Sequence, residues 1–184
     1  LIKGLAEYEF VVYSIGAAEK DRGKYKYKLP DNLVSIQEEF LDDILNLSSQ
    51  GMKENILSAE AKETLYDLVT GEKELNVKKL AKIFHKPKQD RRAALDIFMS
   101  SDFFDIIQQV YEEKYSYLPF TDFFWTLRSM LLPLFYLLQR PLPEADVYHS
   151  VATGYCGVIG AMAAEVYHKP FLITEHGIYS RERE

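Results

Sequence analysis

The sequence holds a single cysteine, Cys156. No internal disulfide can form, and a reducing compartment is the simpler setting. Glycine (9) and proline (7) are sparse in 184 residues, which excludes collagen-like and low-complexity chains. Residues 1–7 lack the basic stretch and following apolar run of a secretory signal. The most apolar segment, Phe123 to Leu138, is interrupted by Arg128 and Pro133. At about 16 residues it falls short of the roughly 20 that span a bilayer, so it reads as a buried or partner-facing helix. Cations are outnumbered, with 22 Lys and Arg against 28 Asp and Glu for a net charge of −6. That balance weighs against a nucleic-acid partner. The four histidines, His85, His149, His168 and His176, show neither i,i+4 nor cysteine-paired spacing, so no metal site is expected.

What is present is a globular composition, 47% hydrophobic and 27% charged. One domain of this size buries roughly 70% of its unfolded surface. Residues 8–15, rich in β-branched and aromatic side chains and ended by Gly16, read as a strand. Residues 32–36 read as a second strand, and the polar stretch 18–28 between them reads as a solvated connection. From Glu38 to Arg140 the periodicity turns helical. Ser58 and Asn76 are N-caps for two helices, Ser101-Asp102 opens a third, and Thr121-Asp122 opens a fourth that Pro133 is expected to kink. Residues 145–151 then read as a strand, Thr153-Gly154 as a turn, 157–168 as a small-residue helix, and 171–174 as another strand. This is a right-handed, parallel βαβ unit. Its nearly continuous apolar strands suggest a sheet covered on both faces. The fold class is therefore α/β, a single domain over residues 1–184 with a helical insertion over 38–140.

Ligands of open α/β sheets gather at the carboxyl ends of the strands. Two segments fall there, residues 149–155 and 174–181. They carry His149 and His176, which the crossover brings to one cleft. The N–H groups of residues 154–157, opening a helix, can hold an anion or a hydroxyl-rich ligand. The stretch Gly154-Tyr155-Cys156-Gly157-Val158 has the topology of a nucleophile elbow, but Val158 stands where the turn needs a second glycine. Cys156 therefore reads as a small buried side chain. The neighbouring carboxylates Asp42 and Asp43, and Glu112 and Glu113, do not share a helix face and read as solvated charge.

Residues 143–157, from Pro143-Glu144-Ala145-Asp146-Val147-Tyr148-His149-Ser150 through Gly157, resemble a known family. So do residues 169–183, with Thr174-Glu175-His176-Gly177-Ile178-Tyr179-Ser180-Arg181. The family is the PelF-type glycosyltransferases of retaining family 4, which have the two-Rossmann-domain GT-B fold. Tyr8 to Leu29, with Ile15-Gly16-Ala17 and Asp21-Arg22-Gly23-Lys24, is similar to the same family's second strand and following loop, and the resemblance extends over residues 8–36. The resemblance implies a partial Rossmann-like parallel sheet. It implies transfer of a sugar from UDP-glucose or a relative to a growing exopolysaccharide, with no cofactor and no metal. By the same resemblance His176 reaches the transferred sugar. His149, Gly154, Tyr155, Glu175, Gly177 and Arg181 line the substrate side. Implied partners are the nucleotide-sugar, the polysaccharide acceptor and membrane-complex proteins, and the implied location is cytoplasmic, peripheral at the inner face of the membrane.

The ends of the chain fit the same picture. Residue 1 is Leu1 rather than Met, Leu1 to Leu5 resembles the last turn of a helix closed by Gly4, and Arg181-Glu182-Arg183-Glu184 follows a strand. The family's first strand and glycine-rich loop are expected before Leu1 and its second Rossmann domain after Glu184. The 184-residue chain is then the acceptor-side half and inactive alone. A rival expectation is a non-catalytic docking module, presenting Phe120, Phe123, Phe124, Trp125, Leu131 and Leu132 to a partner of the secretion complex.

Overall fold

The computed structural model describes residues 2–45, 51, 53–85 and 94–175. After a 3₁₀ turn at Ile2–Gly4, strand β1 (Phe10–Gly16) runs parallel to β2 (Leu33–Phe40). A short helix, α1 (Asp42–Leu45), follows. The helical region comprises α2 (Ala59–Thr70), α3 (Val77–Phe84), α4 (Ala94–Phe98), α5 (Ser101–Val110) and α6 (Phe120–Leu138). A π-helical turn at Tyr111–Tyr115 extends α5. Then come β3 (Tyr148–Ser150), α7 (Tyr155–Tyr167) and β4 (Phe171–Ile173), with β3 parallel to β4. The fold is mixed α/β with parallel strands, and the strands form two separate pairs.

The helix starts follow from local chemistry. The Ser58 hydroxyl accepts from the Ala61 N–H at 3.2 Å, and the Asn76 amide oxygen accepts from the Lys79 N–H at 3.0 Å. Each satisfies an orphan donor of the first turn. On α5 the cap is the fully buried Ser100, one residue earlier than expected, which accepts from Phe103 N–H at 3.1 Å. The start of α6 is likewise displaced, from Thr121-Asp122 to Phe120 behind Pro119, whose fixed φ of −60° suits that place. The helix continues through Pro133 to Leu138.

The core is built on aromatic side chains of the helical region. The Phe84 and Phe135 rings lie 4.8 Å apart, Phe103 and Phe135 5.3 Å, and Phe98 and Phe103 5.4 Å. Such pairs add about 0.5–1.5 kcal/mol each beyond the area they bury. One charge is built in: Asp102, nearly fully buried, accepts from Leu57 N–H at 2.9 Å and pairs with Lys62 at 2.5 Å.

Three strand expectations need correction. The second strand extends to Phe40, past the expected switch to helix at Glu38, because Glu38 and Glu39 are held by partners on either face. Glu38 accepts from Gly23 N–H and Tyr25 O–H, and Glu39 from Arg140. The third strand is only Tyr148–Ser150, not 145–151. The Tyr148 hydroxyl accepts from Ala145 N–H and donates to Pro143 O, which ties the preceding segment into a turn. The β3–β4 pair is covered on one face by α7, while Val147, Val151 and Leu172 are exposed. An apolar run was the reason to expect both faces covered, and among the described residues only one is. The residue 18–28 segment is a solvent-exposed connection, as read, with a 3₁₀ turn at Glu19–Asp21. Among the described residues, no helix is long and apolar enough to cross a membrane.

Candidate functional site

The βαβ unit places its own site. Helix α7 begins one residue after Gly154, whose φ of 80° and ψ of −141° lie where a side chain is strained. This turn lets the chain leave β3 and enter a helix within five residues. The turn is closed by Ser150, whose hydroxyl donates to Ala152 O at 2.6 Å. Farther along α7, a Cβ on Gly160 would lie 2.6 Å from Phe171 Cε2. The absent side chain lets the helix sit close against β4. The small-residue pattern of residues 157–164 is therefore a packing requirement that brings both strand ends onto one rigid support.

At the carboxyl end of β3 the His149 side chain is exposed, and its Nε2 lies 2.8 Å from the Thr174 hydroxyl. Thr174 just follows β4, and its N–H donates to Ser150 O at 2.8 Å, continuing the ladder beyond the last paired residue. His149 and Thr174 thus form a diagonal cross-strand pair on the face opposite α7. Glu175 follows and is exposed. The structure brings His149, Gly154, Thr174 and Glu175 to one end of the unit. Tyr155 sits at the first helical position but turns toward α6, where its hydroxyl donates to Met130 O at 2.9 Å, and burial raises the phenol above its ordinary pKa. His176, Gly177 and Arg181 lie outside the described residues.

Cys156 is half-buried, and burial raises its thiol above the ordinary value. A protonated thiol without an activating base is a poor nucleophile, which agrees with reading it as a packing residue. Among the described residues, no group of three or more His, Cys, Asp or Glu is arranged to hold a metal.

A polar joint beside this site was not anticipated. Glu39, 5% exposed, accepts from Arg140 Nε at 2.8 Å and from Gln37 Nε2 at 3.1 Å. Gln37 also donates to Pro141 O at 2.7 Å, and the Arg140 guanidinium stacks 4.9 Å above Tyr136. These contacts fasten the β1–β2 pair to the end of α6, just before the chain enters β3. Next to them lies Tyr13, whose hydroxyl is buried without a hydrogen-bond partner among the described residues. Burial, and then the Glu39 charge, push its phenol well above the usual range. The sequence signal that marks this joint is Gln37 and Glu39, polar side chains at alternating positions on one face of β2. Such a pair requires a polar partner on the core face.

The adjacent carboxylates also have specific partners. Asp42 accepts from Glu19 N–H at 2.9 Å, and Glu113 is bonded by the Tyr66 hydroxyl and by Gln109. Both anchor local structure, and neither lies at the βαβ end.

Comparison with curated proteins and with solved structures gives no match. The chain belongs to the family described as Domain of unknown function (DUF3492), which matches it over residues 1–184.

Proposed function

We propose that residues 1–184 form the acceptor-side domain of a retaining glycosyltransferase that passes a sugar from a nucleotide-sugar, UDP-glucose or a relative, to a growing exopolysaccharide. The observation that carries the reading is the exposed His149–Thr174 pair beside the Gly154 turn, at the carboxyl ends of two parallel strands. This is where open α/β sheets present ligands. A saccharide is a surface of hydroxyls, and a histidine, a threonine, backbone groups and Glu175 supply both donors and acceptors for it. The resemblance of residues 143–184 to the PelF-type enzymes gives the reaction its class. In that reaction the bond from the anomeric carbon to the nucleotide diphosphate breaks. A new bond forms to an acceptor oxygen, whose proton is lost. Charge develops on the transferred sugar, so the enclosing site must be preorganised and shielded from water.

His176 is proposed to reach the transferred sugar, with His149, Gly154, Tyr155, Glu175, Gly177 and Arg181 on the substrate side. A second wall is needed to enclose the donor, so the 184-residue chain is proposed to be inactive alone and cytoplasmic, working at the inner face of the membrane. The purified chain, incubated with UDP-glucose and a saccharide acceptor, is expected to give no transfer. Measurable transfer would overturn the claim that a second domain is required. In a transferase containing this domain, His176→Ala is expected to lower turnover far more than His149→Ala. Equal small losses would overturn that ranking.

A second reading, a docking module of a polysaccharide secretion complex, is favoured by one observation. On α6, Phe123, Leu131 and Leu132 are buried, but Trp125 is 56% and Met130 55% exposed. Quenching of Trp125 fluorescence by iodide, lost on adding an extract fraction that also retains the chain, would favour docking.

A further inference from the structure

We infer that Thr174 is the positioning residue of His149: its hydroxyl holds Nε2 across the carboxyl ends of β3 and β4, leaving Nδ1 as the ring nitrogen that meets a ligand. The meaning of this arrangement for a saccharide rests on the acceptor-side reading above; the arrangement itself does not.

A histidine at an exposed strand end ordinarily samples several rotamers and both tautomers. Here Nε2 is engaged at 2.8 Å. Its partner is stiff, because threonine is β-branched and its χ1 is restricted. The partner's backbone is fixed as well, by the Thr174 N–H bond to Ser150 O at 2.8 Å. The hydroxyl therefore approaches the ring from a defined direction. No other hydrogen bond to the ring is found among the described residues, so Nδ1 is the nitrogen with capacity left for a ligand oxygen.

The hydroxyl is not required by the sheet. The ladder bond that pairs Thr174 with β3 uses its backbone, and valine, of the same shape, suits a strand end equally well. The pair is also exposed, so it contributes little to stability. The specific consequence of an oxygen here is the state of the imidazole. In either tautomer Nε2 is consumed, as acceptor from the hydroxyl or as donor to it, and the tautomer so chosen decides whether Nδ1 donates to a ligand or accepts from it.

The test uses the full 184-residue chain labelled with ¹⁵N-histidine, with His149→Gln assigning the resonance. Long-range ¹H–¹⁵N spectra report the tautomer of His149 in the wild type, Thr174→Val and Thr174→Ser. The wild type supplies the reference ratio of the two tautomers. Thr174→Val is expected to change the ratio by about two- to tenfold, the effect of one net hydrogen bond, and Thr174→Ser to retain most of it. Unchanged amide shifts of Ser150 and Ile173 in uniformly ¹⁵N-labelled samples of each variant certify the sheet, and Thr174→Ala replaces the valine variant if they move. Identical His149 nitrogen shifts in wild type and valine variant would overturn the inference, as would a serine variant that behaves like valine. If the tautomer responds as expected but saccharides leave His149 unmoved, the acceptor reading fails while the positioning role stands.

Discussion

Removing the Arg140 charge tests how the two strand pairs are joined. The Glu39 side chain is 6% exposed and its guanidinium partner 41% exposed. Breaking a fully buried ion pair from one side costs about 3–5 kcal/mol, because a buried charge is stranded. An exposed pair is worth about 0–1 kcal/mol. With one partner buried and the other near the surface, Arg140→Met is placed between these at about 2–3 kcal/mol. The lost stacking on Tyr136 is included. Glu39→Gln removes the charge but keeps an amide oxygen that can still accept from Gln37 and Arg140, so about 1 kcal/mol is expected. The assay is urea unfolding followed by far-UV circular dichroism. With a slope of about 2 kcal/mol/M, Arg140→Met lowers the midpoint by about 1 M and Glu39→Gln by about half that. Because Arg140 and Pro141 hold β2 through Glu39 and Gln37, amide exchange in residues 10–16 and 33–40 should accelerate before that of the helical core. The reasoning is refuted if Arg140→Met leaves the midpoint within 0.2 M (about 0.4 kcal/mol at that slope), if Glu39→Gln costs more, or if exchange rises uniformly.

Three further outcomes are expected. Burial opposes ionisation of Asp102, but Lys62 and the Leu57 and Ile56 N–H groups outweigh it and hold the carboxyl below its ordinary 3.8. Asp102 therefore contributes stability above pH 3.8 that is lost as pH falls below it, and Asp102→Asn, costing about 1.5 kcal/mol at neutral pH, should flatten that acid loss in pH-dependent urea midpoints. Gly160→Ala should destabilise by about 1–2 kcal/mol although alanine favours helix by about 1 kcal/mol, since its Cβ meets Phe171 at 2.6 Å. Gly157→Ala, where the nearest atom is 3.4 Å away, should be neutral or stabilising, and thermal melts of the two variants check both outcomes. Cys156 should react with a disulfide reagent at pH 7 more slowly than free cysteine, and faster reaction would revive a nucleophilic role.

The helices with side-chain caps were legible because a cap is local. Ser58 and Asn76 do what their positions imply, and the βαβ unit follows from its glycine turn and small-residue helix. What escaped the sequence is non-local. Ser100 outcompetes Ser101 as the α5 cap because it is buried against the preceding turn, where its hydroxyl also donates to Ile97 O. β2 runs on to Phe40 because Glu39 finds Arg140, 101 residues away. The truncation of the third strand rests on a tyrosine hydroxyl folding back three and five residues. At the site, the strand-end positions of His149 and Thr174 were readable from topology, but their hydrogen bond was not. It depends on the register that pairs His149 with Leu172 and so sets Thr174 diagonally beside it. The resemblance places Tyr155 on the substrate side. Its hydroxyl instead donates to the Met130 carbonyl on α6, a contact between elements 25 residues apart.

The central claim, that the carboxyl ends of β3 and β4 receive a saccharide acceptor, is tested most directly by titrating the ¹⁵N-labelled 184-residue chain. The probes are short glucan and N-acetylglucosamine oligomers, and separately UDP-glucose. The account predicts saccharide-dependent shifts at His149, Gly154, Thr174 and Glu175, with a much weaker response to UDP-glucose. Shifts confined to the Trp125 face of α6, or none with any saccharide, would contradict it.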